Sequence, residues 1–214
     1  MRRRRIRWRD RAAYRRAMAR WAPDARERLE AAALDLFVEN GYEGTTVAQI
    51  ADRAGLNRAT FFRHFTDKRE VLFGGEDVLA GLFADAVLAA DPGASLAECL
   101  RVALVAADGA LTGQQRAKAG QRRHVVAAHA EVQERGLLKY ARIAASVAAA
   151  LRERGHDDMA ARLGAEMTLL AFRAAFERWI VAAGDEPFSF FAEAVGNDLQ
   201  ARAAAFALPS DPST

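Results

Sequence analysis

The sequence predicts an all-α protein with one or two domains. Apolar residues recur at helical spacing along most of its 214 residues, and hydrophobic residues make up 51% of the composition. This content is enough to form a sizeable core. Capping residues such as Ser, Thr and Asp precede the periodic segments, and Gly or Asn residues follow several of them. A single cysteine, Cys99, excludes an intrachain disulfide framework and suits a reducing compartment.

Residues 1–22 form a strongly basic segment. They contain ten Arg and one Asp, whereas residues 23–73 contain seven Lys or Arg and nine Asp or Glu. Two interpretations stay open. One is an arm that contacts DNA, with an amphipathic helix after Asp10; the other is a native start at Met18, which removes most of the segment. The arginines expected to contribute most to an arm are Arg2, Arg3, Arg4 and Arg5.

Residues 45–68 are the most informative stretch, because they predict two short helices joined by a tight turn. Thr46 and Gln49 have the spacing of a capping box, so the first helix begins near Thr46. It ends before Gly55, a residue that adopts the positive φ found where helices stop. Asn57 is a preferred N-cap for the second helix.

The second helix of this pair has one apolar face and one face suited to DNA. Phe61 and Phe65 are four residues apart and point inward, which leaves cations, a hydroxyl and an aromatic ring outside. A helix of this kind is typical of a helix-turn-helix unit, in which it enters the major groove. A helical hairpin within an ordinary all-α domain is the alternative. The outward residues are Arg58, Ala59, Thr60, Phe62, Arg63 and His64.

The remaining segments also predict helices. An amphipathic helix is capped by Asp24 and ends at Gly41, and another is expected from Asp67 to Ala90, with Gly74 and Gly75 as a weak point. After a polar stretch up to Arg123, the residues from about His124 predict one helix or a bent pair. Further helices are expected from Ser95 to Thr112, from His124 to Arg154, from Asp157 to Gly184, and from Pro187 through Phe206.

No catalytic or metal-binding constellation is visible in the sequence. The four histidines lack zinc-site spacing, and Cys99 lies in an apolar helix stripe, where a buried inert thiol is expected. No phosphate-binding loop or nucleophile elbow is present. An enzyme and a non-DNA interaction module are therefore the weaker alternatives, and no metal or cofactor is expected. Without a membrane span or signal peptide, a cytoplasmic location is expected.

Residues from about Asp24 to Gly75 resemble the N-terminal domain of the tetracycline-repressor (TetR) family of bacterial transcriptional regulators. The resemblance extends over about 50 consecutive residues in order and spacing. It is carried by RERLEAAALDLFVENGYEGTTV, by Ile50-Ala51 and Ala54-Gly55, and by ATFFRHFTDKREVL. The family implies a three-helix helix-turn-helix domain, joined by a linking helix to a helical domain that binds ligand and dimerises. The expected divisions are an arm at 1–22, the DNA-binding domain at 23–75, the C-terminal domain at 76–208 and a disordered tail at 209–214.

The resemblance also implies a function. It predicts a homodimer that binds double-stranded DNA, most simply a repressor released from a palindromic operator by a small-molecule inducer. A constitutive or corepressor-dependent regulator is the alternative. Arg58, Thr60 and Arg63 are expected near base edges, and Thr46, Phe62, His64 and Lys68 near phosphates. The full set of expected contacts is Thr45, Thr46, Arg53, Asn57, Arg58, Ala59, Thr60, Phe62, Arg63, His64 and Lys68.

Two further sites follow from the resemblance in the C-terminal two thirds. A pocket for the small molecule is expected among Phe83, Arg101, Leu104, His124, His129 and Trp179. The dimer interface is expected at Leu163, Met167, Leu170, Phe191 and Val195. The helix near residues 163–180 is apolar on two faces and must be buried on both sides, which gives a physical reason for a dimer.

The sequence departs from the family at one expected DNA contact. At residue 62 the family usually has Tyr. Phe62 has no hydroxyl group, so it cannot donate a hydrogen bond to phosphate.

Overall fold

The computed structural model describes residues 24–73 and 76–205, and the regular structure in these residues is helical. They contain nine α-helices and two short 3₁₀ turns. The predicted all-α class is therefore confirmed. Within the described residues, no helix combines the length and hydropathy needed to cross a bilayer. Two units can be distinguished, with the division between Val71 and Leu72.

The first unit is built from α1 (Ala25–Asn40), α2 (Val47–Arg53) and α3 (Arg58–His64). Its core is apolar and partly aromatic, with the ring centroids of Phe61 and Phe65 at 5.4 Å. Helix α1 ends before Gly41 as expected, but the predicted cap at its start is wrong, because the Asp24 side chain makes no capping hydrogen bond. The buried side chains of this unit include Leu29, Leu34, Phe37, Tyr42, Ile50, Phe61, Phe65 and Val71.

The predicted helix from Asp67 is interrupted. Residues Glu70–Phe73 form a 3₁₀ turn, and the next α-helix, α4, covers Glu76–Ala89. Asp67 caps the start of this segment, since its Oδ1 accepts hydrogen bonds from the N–H groups of Arg69 and Glu70 at 2.8 and 3.0 Å. The sequence reason for the interruption is the pair of glycines at 74 and 75, which lower helix propensity and lie outside the described residues.

The second unit continues from α4 with five more α-helices. Helices α4 and α7 pack together, α7 packs on α8, and α8 on α9, while α5 packs on α4, α8 and α9. A 3₁₀ turn, Ala107–Gly109, follows α5. The bounds are α5 Leu96–Ala106, α6 Gly113–Ala128, α7 Ala130–Glu153, α8 Asp158–Val181 and α9 Phe188–Ala205.

Two expectations for the second unit are wrong, and one open alternative is decided. The expected helix start near His124 is wrong, because the polar stretch before Arg123 already belongs to α6, which has few large apolar residues. Of the two alternatives, one helix or a bent pair, the pair is confirmed: the two helices are separated at His129, whose φ of −132° and ψ of 111° are extended. Pro187 precedes the last helix by one residue instead of beginning it. The expected extension to Phe206 falls outside the described residues.

An aromatic cluster fills the middle of the second unit. The ring of Phe172 lies 5.4 Å from that of Phe83 and 5.5 Å from that of Phe188, and Trp179 stands at right angles to Phe188. Helix α8 also approaches its neighbours closely at Gly164. A Cβ atom there would lie 3.1–3.3 Å from leucine side chains of α5 and α7. These contacts anchor α8 in the core and leave its opposite side exposed.

Candidate nucleic-acid interface

Helix α3 is fixed at its start by short-range hydrogen bonds. The Asn57 Oδ1 accepts from the N–H of Thr60 at 2.8 Å and from its hydroxyl at 3.0 Å, which confirms the predicted N-cap. The Thr60 hydroxyl in turn accepts from the Arg63 guanidinium at 2.8 Å. Because these bonds link residues three apart, they set both the first turn of the helix and the direction of one outward cation.

Helix α2 is held in the predicted way at its own start. The N–H of Thr46 donates to the Gln49 Oε1 at 2.8 Å, and the Thr46 hydroxyl accepts from the Gln49 N–H at 3.3 Å. This is a complete capping box. The Thr46 side chain stays at the surface, next to the N-terminal end of the helix.

The turn between α2 and α3 depends on a residue from α1. Gly55 has φ +65°, a conformation that glycine adopts without strain. The guanidinium of Arg28 donates to the carbonyl oxygen of Ala54, and its Nη2 lies 3.5 Å from that of Gly55. Arg28 therefore satisfies carbonyl groups at the end of α2 and fixes the angle at which α3 leaves the turn.

Four of the expected DNA contacts form a continuous exposed patch on α3: Arg58, Ala59, Phe62 and Arg63. We call these four residues the α3 patch. Phe62 is 51% exposed, and its ring stands edge-on to that of buried Phe61 at 5.5 Å. His64 is partly buried beside Phe65. The patch thus combines two guanidinium groups with two apolar side chains.

Two expected contacts are buried in the unit. Thr45 is 1% exposed, and its hydroxyl donates to the carbonyl oxygens of Leu36 and Gly41. Thr60 is 7% exposed, and its hydroxyl is engaged in the cap of α3. Both hydroxyls hold the unit together, so neither reaches the outward surface.

Two expected cations are also engaged within the unit. Arg53 forms a two-pronged ion pair with Glu39, at 2.9 and 2.6 Å. The hydrogen bond from Arg53 holds the pKa of the Glu39 carboxyl below its usual value. The Lys68 ammonium donates to the carbonyl oxygen of Tyr42 at 2.7 Å and lies 4.0 Å from the centre of its ring. The orientation of both cations is therefore set before any ligand binds.

Sequence reasoning missed the partners Arg28, Glu39 and Tyr42. Arg28 acts 26 residues away from the turn, and Glu39 lies 14 residues from its partner. No local spacing signals such pairs, because they depend on how segments that are distant in the sequence pack against each other. The capping residues were found because their partners lie three positions along the chain.

The second unit contains a groove with a volume of about 650 Å³. It lies between α5, α8 and α9, and this size is within the range of small-molecule sites. Its apolar lining includes Leu100, Leu104, Met167 and Leu199, and polar groups such as Arg101, Glu193, Asn197 and Gln200 also line it. The Thr168 hydroxyl on its wall donates to the Gly164 carbonyl oxygen at 2.9 Å.

Only two of the residues expected in the pocket line this groove, namely Arg101 and Leu104. Phe83 and Trp179 belong to the aromatic core, and Arg116 lies over the Trp179 ring at 5.1 Å. His124 is exposed on α6, and His129 is at the junction of α6 and α7. In the described part of the chain, no group of three His, Cys, Asp or Glu could hold a metal ion.

The residues expected at the dimer interface fall in different environments. Leu163 and Leu170 are each 55% exposed on α8 and are seven positions apart, so they share one face. Val195 is 5% exposed and packs in the core of its own chain. Met167 lines the groove, and Phe191 packs against the core while partly exposed. Of the five expected residues, Leu163 and Leu170 are therefore the ones that form an exposed apolar surface on α8.

The first unit has the arrangement of a DNA-binding helix-turn-helix domain, and comparisons with known proteins agree. Residues 29–73 match the family model described as bacterial regulatory proteins, tetR family. The regulator TcmR of Streptomyces glaucescens is 52% identical over 46 residues, which are 22% of this chain and 20% of TcmR. SrpR of Pseudomonas putida is 43% identical over 51 residues, or 24% of each protein. The chain thus matches about a fifth to a quarter of these relatives' length.

The solved structures extend the similarity of fold to most of the chain. A TetR-family repressor, FadR of Thermus thermophilus in complex with lauroyl-CoA, is 24% identical, and the similarity covers 88% of this chain and 98% of that protein with a TM-score of 0.52. At this identity the similarity concerns the fold. The match to the tetR family of bacterial regulatory proteins therefore concerns residues 29–73 of the N-terminal unit.

Proposed function

We propose that the protein is a transcriptional repressor that binds a palindromic operator as a homodimer and is released by a small molecule. Its relatives are named transcriptional regulators, and the repressor FadR shares its fold. The observation that carries the DNA-binding part is the α3 patch, which is exposed on a helix fixed by the Asn57 cap and the Arg28 contacts. A helix-turn-helix presents such a helix to the major groove.

Within this proposal the DNA contacts have different tasks. Arg58 and Arg63 read base edges, because guanidinium groups pair bidentately with guanine. Thr46, His64 and Lys68 lie near phosphates and set the register. Residues 1–22, including Arg2 to Arg5, lie outside the described residues and add sequence-independent affinity as an arm. The activity requires access to the genome, so the proposed location is cytoplasmic.

The direct test is selection of duplexes from a randomised DNA library by the full-length protein. We expect an inverted repeat whose half-sites lie about one helical turn apart, because two recognition helices related by a two-fold axis must meet the same side of the DNA. Affinity for this duplex should exceed that for random DNA by at least about 10³-fold at physiological salt. Recovery of no preferred sequence would refute the proposal.

The groove between α5, α8 and α9 supports the effector part. It is mostly lined by apolar residues, with a few polar groups, which suits a small molecule with an apolar body. FadR of T. thermophilus is described with lauroyl-CoA, which supports a ligand role for this fold without naming the ligand here. By linkage, an effector that weakens DNA binding is itself bound more weakly by the DNA complex, by the same factor. The coupling between effector binding and DNA binding would pass along α4 and the residues that precede it.

Filling the groove tests this part separately. A Cβ atom at Gly196, which lines the groove, would meet no atom within 4 Å, so Gly196→Phe adds a ring without a clash at Cβ. The Cβ of Gly113 on α6 is equally unobstructed, so Gly113→Phe is the control. In a metabolite screen read by release of the selected duplex, we expect Gly196→Phe to lose the response that Gly113→Phe keeps. The absence of any releasing compound favours the constitutive alternative. A compound that instead strengthens binding to the duplex favours a corepressor-dependent regulator.

A further inference from the structure

Phe62 is the one large apolar side chain among the exposed residues of α3. Its ring is held edge-on by Phe61, so it projects from the surface in a defined direction. Ala59 is three positions earlier and is also exposed, which places both on one side of the helix. Together they interrupt the polar surface between Arg58 and Arg63 with an apolar strip.

An apolar strip at this position restricts what it can face in a complex with DNA. A phenyl ring neither donates to phosphate nor pairs with the donors and acceptors of base edges, so covering those groups would leave them unsatisfied. In the major groove, the apolar group on a base edge is the C5-methyl of thymine. Arg58 is four positions before Phe62, or about 6 Å along the helix, which corresponds to about two base pairs.

Resting on the proposed DNA-binding function, we infer that Phe62, with Ala59 beside it, recognises a thymine methyl group in each half-site. This thymine lies within about two base pairs of the base that Arg58 contacts. Phe62 is then a specificity-determining residue and not a phosphate contact. The half-site consequently combines a guanine read by a guanidinium with a thymine read by an aromatic ring.

The test uses the duplex selected from the randomised library, with each thymine of the half-site replaced by uracil in turn. This replacement removes only the C5-methyl group and leaves pairing unchanged. Affinities are measured for the wild type, Phe62→Ala and Phe62→Leu. Phe190→Ala is the matched control, since Phe190 is 57% exposed and also stands edge-on to a neighbouring ring, that of Phe191 at 5.3 Å.

We expect uracil at one position per half-site to weaken wild-type binding about fourfold for each methyl group removed. Phe62→Ala should bind the thymine and uracil duplexes equally, Phe62→Leu should keep part of the difference, and Phe190→Ala should keep all of it. Wild-type indifference to uracil at every position would overturn the inference while leaving DNA binding intact. So would an undiminished thymine preference in both Phe62 variants. Failure to select any duplex would instead refute the proposed function.

Discussion

The α3 patch and the groove of the second unit are built in opposite ways. The start of α3 is fixed by bonds between residues three apart, from Asn57 to Thr60 and from Thr60 to Arg63. The groove collects residues from α5, α8 and α9, which together span about a hundred positions in the sequence. Its shape therefore depends on how three helices pack, whereas the patch depends mainly on a local cap.

This difference predicts different sensitivities to substitution. A change within the patch should alter DNA recognition and leave the fold intact, because its members are exposed and carry little of the core. A change near the groove or on α8 acts through helix packing or through a second copy of the chain. The experiments below separate these two kinds of effect.

The largest effect is expected for Leu170→Arg on the exposed face of α8. A charge at an apolar interface between two copies would be buried without a partner, so the dimer should fail. Loss of the second half-site should then lower operator affinity by about 10²-fold or more. Sedimentation gives the oligomeric state, and anisotropy with labelled duplex gives the affinity.

Leu137→Arg is the control for this substitution. Leu137 is 63% exposed on α7 and receives the same charge, but it lies outside the proposed interface. We expect this variant to remain dimeric. If Leu170→Arg stays dimeric while Leu137→Arg becomes monomeric, the interface involves α7 and our choice of face is wrong.

Truncation of the basic arm should change the salt dependence of DNA binding. Three or four arginines on the DNA backbone would contribute about three to the slope of log affinity against log salt for each subunit. A chain beginning at Met18 should therefore show flatter slopes on both operator and random DNA, with its preference for operator retained. Identical slopes for the two chains would show that the arm makes no backbone contacts.

Arg58→Ala should weaken operator binding by about 1–3 kcal/mol if this residue reads a guanine. The loss should be confined to duplexes with the preferred base at one position in each half-site, and specificity there should relax. Arg69→Ala is the control, because it removes the same charge at a residue that is paired with Asp67 at 2.6 Å. A uniform loss on all duplexes for Arg58→Ala would argue against base reading.

Gly55→Ala should destabilise the first unit by about 1–2 kcal/mol, because a Cβ atom is unfavourable at φ +65°. Its Cβ would also lie 2.9 Å from the Arg28 Nη2, so the guanidinium must move and weaken its bonds to the turn. Gly155→Ala is the control, because Gly155 also ends a helix at positive φ, +91°, with the same pattern of backbone hydrogen bonds, but has no atom within 4 Å of the added Cβ. Denaturant unfolding should show the greater loss at Gly55, and equal losses would mean that the Arg28 contact adds nothing.

The same contrast explains what the sequence could and could not predict. The caps at Thr46, Asn57, Ser95 and Asp157 were predictable because each joins residues three apart, and the structure contains all four. The groove was not predictable, since helical periodicity identifies a buried face but not the helix that covers it. Helix α6 was missed for a related reason, because its buried residues include small ones such as Ala119.

The smallest effect concerns Arg53, an expected DNA contact that is paired with Glu39 on α1. Its hydrogen bond lowers the pKa of the Glu39 carboxyl, so the contribution of the pair to folding is complete above the unfolded-state pKa of Glu39. That contribution is lost as the pH falls through the lower, folded-state value. At neutral pH the pair is therefore intact, and Arg53 contacts phosphate only by giving up Glu39.

Glu39→Gln removes this competition without acid. We expect stronger DNA binding and a slope of log affinity against log salt that is steeper by about 0.9 for each subunit, which corresponds to one added phosphate contact. Glu30→Gln removes the same charge from α1 and releases Arg26, which lies over the Phe65 ring at 4.9 Å, so it controls for the change in net charge. A larger change in DNA affinity and salt slope for Glu39→Gln identifies Arg53 as a DNA contact that becomes available when its ion pair with Glu39 is broken. Equal changes in the two variants would show that both substitutions act only through the net charge of the protein. Arg53 would then serve to join α1 and α2.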